Sequence, residues 1–108
     1  MEKFALKNDR FREARGGYAR FLNIYCEHCG EWLCLYQKDG AGPLMRLYLD
    51  RIFAPKEIAN QKSIKNNLVC KKCQRLIGIP GVFEKENRKV YLLLSYTFTK
   101  KLAKGNLI

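Results

Sequence analysis

YCEHCG (Tyr25–Gly30) and VCKKCQ (Val69–Gln74) each contain a Cys-x-x-Cys pair, and the two pairs begin forty-four positions apart. Such a pair on a tight turn brings two sulfurs together, and Zn²⁺ in structural sites takes four such donors in a tetrahedron. We therefore predict one structural zinc ion, bound by Cys26, Cys29, Cys70 and Cys73. Gly30 suits a turn that needs a positive φ, whereas Gln74 at the matching position predicts a less regular second turn.

Three other interpretations of the two pairs differ in what the sequence says against them. A thioredoxin-type redox centre lies between a strand and a helix, but strand-like residues follow both pairs here. A disulfide is disfavoured because the first seventeen residues lack the apolar stretch of a secretory signal. An iron–sulfur cluster uses the same four thiolates, so the spacing leaves zinc and iron open.

Two further residues near the first pair are candidate ligands. Cys34 lies in the apolar run EWLCLY, which predicts a buried strand, so we expect a small core residue. The alternative roles for Cys34 are a fifth metal ligand or a redox nucleophile. His28 lies between the first two cysteines and is predicted to be an exposed turn residue, since four thiolates already satisfy the metal.

The segments around the cysteines predict a mainly β fold with two hairpins. Apolar and aromatic residues lead into and out of each pair, which places each pair at a hairpin tip. We expect an antiparallel zinc-ribbon sheet over residues 18–104, preceded by a basic arm or short helix over residues 1–17 that ends at Gly16–Gly17. Residues 53–67 are expected either to contain a short helix that Pro55 opens and that runs through Ala59, or to form a mostly irregular crossing segment.

Two more strands are predicted from alternation of apolar and polar residues. LMRLYLD (Leu44–Asp50) is expected to turn Met45, Leu47 and Leu49 toward the core. Val90–Phe98 is expected to form one long amphipathic strand, followed by a basic tail that frays.

Paired Cys-x-x-Cys hairpins about forty residues apart in antiparallel sheet resemble the β-tent zinc proteins. That group includes the Yippee-like proteins, the ligand-binding domain of cereblon and the B-type methionine sulfoxide reductases. The resemblance covers roughly residues 18–100 and implies metal ligation by the four cysteines. It does not imply catalysis or a cereblon-type ligand, because the reductases have a catalytic cysteine downstream of the second pair, and the cereblon pocket needs several tryptophans. This chain has no cysteine after Cys73 and only Trp32.

The charge of the chain is unevenly distributed. The formal net charge is +11, of which residues 1–60 contribute +2 and residues 61–108 contribute +9. Such a field attracts phosphates and other anions. No apolar run is long enough to cross a membrane, and together with the absent signal this favours the cytoplasm.

The basic second half favours a nucleic-acid-binding zinc protein, with RNA or a ribonucleoprotein as a more probable partner than DNA. Lys71 and Lys72 stand between the second pair of cysteines, so that turn must display them. Stacking faces for bases are expected from Tyr18, Phe21, Tyr25 or Tyr48. The residues predicted to contact nucleic acid are Lys62, Lys65, Lys71, Lys72, Arg75, Arg88 and Lys89.

The alternative function is a protein–protein interaction module whose fold is stabilised by zinc. The segments LMRLYL and VYLLLSY are the candidate faces for binding a protein partner. An enzyme is not expected. The chain has a single histidine, its carboxylates show no diagnostic spacing, and four cysteines close the coordination sphere of a metal. No small-molecule substrate is expected either.

Overall fold

Two four-stranded antiparallel sheets form the body of the protein, as seen in a computed structural model that describes residues 4–103. The strands are β1 (Ala19–Cys26), β2 (Trp32–Asp39), β3 (Arg46–Tyr48), β4 (Ile52–Ala54), β5 (Leu68–Val69), β6 (Leu76–Phe83), β7 (Arg88–Leu93) and β8 (Phe98–Leu102). In the first sheet the strand order is β4-β2-β1-β8, and in the second it is β3-β7-β6-β5. The mainly β fold predicted from the sequence is confirmed.

Each sheet contains one of the two predicted hairpins. In the first sheet β1 pairs with β2 from Ala19–Asp39 to Tyr25–Trp32, and the first cysteine pair lies at the tip. In the second sheet β5 pairs with β6, and the second cysteine pair lies at that tip. The two tips meet, so the four cysteines lie together where one sheet adjoins the other.

The core lies between the sheets and is filled by side chains from both. Ile24 of β1, Leu47 of β3 and Ile77 of β6 are completely buried in one continuous cluster. A smaller cluster packs on the first sheet, where Phe21 contacts the edge of Phe53 with ring centroids 4.9 Å apart. Burial of a large apolar side chain contributes about 1.5–3 kcal/mol.

The Leu44–Asp50 segment differs from the predicted strand. Only β3 pairs in the sheet, and residues Leu49–Arg51 form a 3₁₀ turn. Leu44 is buried and Met45 is 62% exposed, so the predicted core face is wrong at these positions. The buried Tyr36 hydroxyl accepts a hydrogen bond from the Tyr48 amide at 3.0 Å, which holds the chain just before the turn.

The predicted long strand over Val90–Phe98 is also wrong, because the chain breaks and changes sheets. Between β7 and β8, the Leu94 amide donates to the carbonyl oxygen of Ile77 at 2.9 Å, and Tyr96 takes a positive φ of 64°. β8 then pairs with β1 in the first sheet, from Cys26–Phe98 to Leu22–Leu102. The part of the predicted fraying tail that reaches Leu102 is therefore a strand, and residues 104–108 lie outside the described range.

Two short helices flank the sheets. Helix α1 (Arg10–Ala14) is capped by the Asp9 side chain, which accepts from the amides of Phe11 and Arg12, and the chain turns at Gly16 and Gly17. Helix α2 (Lys56–Ala59) follows Pro55, as the helical alternative predicted. Among residues 4–103, no helix is long and apolar enough to cross a membrane.

Ion pairs of two arginines attach the N-terminal segment to the sheets. Arg51 is 1% exposed and pairs with Asp39 at 2.8 Å and with Asp9 at 2.7 Å. Arg15 pairs with Glu86 at 2.8 Å. Because these ion pairs join residues far apart in sequence, α1 is part of the packed body.

Candidate metal centre

The two cysteine turns have the same backbone hydrogen bonds. Gly30 donates its amide to the Cys26 carbonyl at 2.9 Å, and Gln74 donates to the Cys70 carbonyl at 2.9 Å. Gly30 has a φ of 80° and Gln74 a φ of 66°, so both take the left-handed conformation. The prediction of a less regular second turn is wrong, because the hydrogen bonds hold glutamine in a conformation that usually favours glycine.

The four sulfurs at the hairpin tips lie close enough together to hold one metal ion. All four are within 4.8 Å of one another. Cys26 Sγ lies 3.6 Å from Cys73 Sγ, and Cys29 Sγ lies 3.5 Å from Cys70 Sγ. Sulfurs on a tetrahedral Zn²⁺ with bonds of about 2.3 Å are separated by about 3.8 Å, whereas disulfide sulfurs are about 2.05 Å apart. The spacing fits ligands around a shared cation, and all four cysteines are free thiols.

The backbone around the sulfurs affects their ionisation. Burial opposes the thiolate of Cys70, but the amides of Cys73 and Lys72 donate to its sulfur and lower its pKa to about 7. At Cys73 the Arg75 amide favours the thiolate, but burial and the neighbouring sulfurs outweigh it and raise the pKa to about 12. Cys70 is therefore the more readily ionised of these two thiols.

Neither Cys34 nor His28 belongs to the cluster. Cys34 is 1% exposed on β2, and burial raises the pKa of its thiol to about 12, which makes it an unreactive core residue. His28 lies on the exposed first turn. In the part of the chain that the structure describes, the four predicted cysteines form the one group arranged to hold a metal.

The loop between β7 and β8 packs against both cysteine turns. The Glu27 amide donates to the Thr97 carbonyl at 3.0 Å. Arg75, just after the second turn, donates to the Glu27 carboxylate at 2.7 Å and to the Tyr96 carbonyl at 3.3 Å. These bonds place Tyr96, a residue that the sequence analysis did not select, beside the metal centre. No local turn signal in SYTF identifies it.

Most of the predicted nucleic-acid contacts lie on the surface. Lys71 and Lys72 are exposed on the second cysteine turn, and Arg75 is partly exposed beside it. The Lys89 ammonium donates to the Lys62 carbonyl, which places these two residues together. Lys65 is exposed in the segment that leads to β5.

Arg88 is not a surface residue, contrary to the prediction. Its side chain is 3% exposed and pairs with Asp50 at 2.6 Å and with Glu86 at 2.9 Å. Its guanidinium also stacks on Tyr48, 3.7 Å from the ring centroid. Two carboxylates already occupy its donors, so Arg88 is a structural cation.

Two of the predicted stacking residues are buried as well. Phe21 and Tyr48 are 9% and 8% exposed, so neither presents a ring to a ligand. Tyr25 is half-buried, with the Lys101 ammonium 5.7 Å from its ring centroid. Tyr18 is 59% exposed, and Tyr96 is 87% exposed.

No protein-family model, curated protein or solved structure matches this chain. The zinc-ribbon-like architecture therefore rests on the chain itself, through its two antiparallel sheets and the four cysteines that meet between their hairpins.

Proposed function

We propose that this protein is a small structural-zinc protein that binds nucleic acid, RNA or a ribonucleoprotein in preference to DNA, through a basic surface around the second cysteine turn. The observation that carries the proposal is the display of Lys71 and Lys72 in solvent between two metal-binding cysteines. A metal-fixed turn holds these ammonium groups in place for phosphate. Lys71, Lys72 and Arg75 lie at this turn, and the proposed basic surface also includes the other exposed predicted contacts, Lys62, Lys65 and Lys89. Lys89 lies opposite Val82, toward the far end of β6.

Zinc is the metal that best suits the donor set. Zn²⁺ favours four thiolates in a tetrahedron and has no redox chemistry, and four protein ligands leave no position for a substrate. The role proposed for the metal is therefore structural and not catalytic. Elemental analysis of the purified protein should find one zinc per chain. Iron together with visible absorption would instead identify the iron–sulfur alternative.

The ion pairs on the basic surface are weak enough for phosphate to replace them. Lys71 pairs with Glu57 at 3.2 Å, and the two side chains are 70% and 69% exposed. Exposed pairs of this kind contribute only about 0–1 kcal/mol. A phosphate backbone supplies several negative charges at once and releases counterions on binding, which favours exchange.

Salt dependence of RNA binding tests the proposal. Affinity of the metal-loaded protein for a fluorescent single-stranded RNA should fall steeply with salt, with a logarithmic slope of about −0.7 per phosphate contact. Lys72→Gln should weaken binding and reduce the slope by about 0.7. Lys85→Gln is the matched control, because Lys85 is an equally exposed lysine on the 3₁₀ turn before β7.

Two results would count against nucleic-acid binding. One is affinity that is absent or unchanged between low and moderate salt. The other is an equal loss for both lysine variants, which would indicate a response to net charge and not to the basic surface.

The second candidate function is a protein-interaction module, favoured by an exposed apolar pair on the second sheet. Ile79 of β6 lies opposite Leu92 of β7, and the two side chains are 38% and 40% exposed. A stable stoichiometric protein complex that survives nuclease, and that Leu92→Gln disrupts without changing RNA affinity, would favour this function over the first.

A further inference from the structure

Tyr96 is the feature of the surface that the structural role of the metal leaves unexplained. Its side chain is 87% exposed, more than any other large apolar side chain exposed among residues 4–103. Its φ of 64° lies in the left-handed region, which bulky residues rarely adopt. The strained backbone costs free energy, and the exposed ring buries little apolar surface in return. Strained residues of this kind cluster at functional sites.

Hydrogen bonds hold the backbone at Tyr96 and Thr97, while the Tyr96 ring is exposed to solvent. The carbonyl of Tyr96 accepts from Arg75 Nη2 at 3.3 Å. The next carbonyl, that of Thr97, accepts from the Glu27 amide at 3.0 Å, and the Thr97 hydroxyl donates to Leu94 at 2.7 Å. The ring therefore projects from a loop that is hydrogen-bonded to residues at both cysteine turns.

Arg75, a cation of the basic surface, is hydrogen-bonded to the backbone of this loop. Arg75 contacts both Tyr96 and Glu27, and it comes two residues after Cys73 on the turn that displays Lys71 and Lys72. The strand that follows the loop, β8, carries the exposed Lys100. Proteins bind unpaired bases by combining cations that follow the phosphate backbone with exposed aromatic rings on which bases stack.

We propose that Tyr96 is a stacking platform for an unpaired base, and that the ligand of the basic surface is single-stranded nucleic acid. The inference rests on the proposed nucleic-acid function and identifies its ligand class. Bases inside a duplex already stack on their neighbours, so a protruding ring selects strands whose bases are free.

The left-handed conformation of Tyr96 provides a variant that separates binding from folding. Glycine adopts a φ of 64° without strain, so Tyr96→Gly should keep the fold and the metal while removing the ring. Tyr96→Trp keeps an aromatic face. Asn87→Gly is the matched control, because Asn87 is an exposed residue that also takes a positive φ, of 50°, at a different place, the turn before β7.

The experiment measures binding by fluorescence anisotropy to three ligands: single-stranded oligouridine, an abasic strand of the same length, and heparin. Tyr96→Gly should weaken oligouridine binding about 5- to 100-fold while leaving the salt slope unchanged, because stacking carries no charge. Affinity for the abasic strand and for heparin should stay the same. Tyr96→Trp should bind oligouridine at least as well as the wild type, and Asn87→Gly should bind like the wild type.

The outcomes separate this inference from the function on which it rests. Wild-type binding to oligouridine that Tyr96→Gly does not weaken overturns the stacking role and leaves the basic surface intact. Equal loss for the strand with bases and for heparin also overturns it, since the ring would then act through charge or folding. Absence of binding by the wild type to all three ligands overturns the proposed function itself.

Discussion

Among single residues, Asp9 has two structural roles at once. Its side chain caps helix α1, and its carboxylate pairs with the buried Arg51 through contacts of 2.7 and 3.1 Å. The hydrogen bonds from Arg51 outweigh partial burial and lower the pKa of Asp9 from its usual 3.8 to about 2. The ionised form is therefore the one that the fold stabilises.

Asp9→Asn should remove this contribution while keeping the cap, because asparagine is an equally good capping residue. At neutral pH we expect a loss of about 1 kcal/mol in the free energy of unfolding, since the Asp9 side chain is 40% exposed and solvent screens the pair. A carboxylate with a lowered pKa stabilises the fold above its unfolded pKa and loses that effect as the pH falls. The wild type and the variant should therefore converge between about pH 4 and pH 2.

Urea titrations across this pH range measure the effect. Glu13→Gln is the control, because Glu13 is a carboxylate of α1 that makes no ion pair within residues 4–103. A difference between Asp9→Asn and the wild type that stays constant down to pH 2 would contradict the role of the Arg51 pair.

Between elements, helix α1 is held against the end of β2 by a very close backbone contact. A Cβ atom added at Gly40 would lie 2.9 Å from both Arg15 Cβ and the Arg15 carbonyl oxygen. The Gly40 amide also donates to the Tyr18 carbonyl at 2.7 Å, which closes the chain between α1 and β1 against the β2 end. Because Gly40 has no side chain, Arg15, directly after α1, can approach it closely and form the ion pair with Glu86.

Gly40→Ala should therefore destabilise the protein more than strain at a positive φ alone can explain. The conformational strain of alanine costs about 1–2 kcal/mol, and displacement of Arg15 should add a further 1–3 kcal/mol or so. Gly17→Ala is the matched control, with a φ of 83° against 74° at Gly40 and no atom within 4 Å of the added Cβ. Denaturant unfolding of the two variants measures the difference, and equal losses would show that the Arg15 contact is unimportant.

For the whole molecule, the cysteine cluster is a link between two sheets. Cys26 and Cys29 flank the β1–β2 tip in the first sheet, and Cys70 and Cys73 flank the β5–β6 tip in the second. β5 has only two residues, so the hairpin that carries the second pair has little pairing of its own. A metal bound by the four cysteines would connect the β5–β6 hairpin, which has little strand pairing, to the longer β1–β2 hairpin.

Removal of the metal should unfold the protein. Structural zinc contributes an apparent binding free energy of about 10–16 kcal/mol in small domains, whereas a domain is stable by about 5–15 kcal/mol in total. Chelation under reducing conditions should therefore collapse the dispersion of the amide NMR spectrum, and added zinc should restore it. Cys73→Ser should unfold likewise, whereas Cys34→Ala should keep one metal per chain because Cys34 lies in the core. A dispersed spectrum after elemental analysis confirms metal loss would show that the core suffices without the metal.

How much of the fold and of the candidate site the sequence predicts depends on whether the interactions involved are local or long-range. The four ligands and the two hairpin tips followed from local spacing, because a Cys-x-x-Cys turn depends on a few adjacent residues. The alternation of apolar and polar residues continues through Tyr96, so the sequence predicts a strand at this position. The break occurs only because Leu94 and Thr97 bond to Ile77, a residue distant in the chain.

The sequence by itself determined a mainly β chain, the four cysteines that can hold a metal and the excess of positive charge, since these follow from composition and short-range pattern. Only the tertiary structure decided which cations remain at the surface and which are neutralised inside. Arg88 and Arg75 carry the same charge, yet the first is enclosed by Asp50 and Glu86 while the second stays partly exposed beside the metal centre. The physical reason is that the burial of a charge depends on carboxylates brought together by sheet packing, and no local pattern encodes those partners.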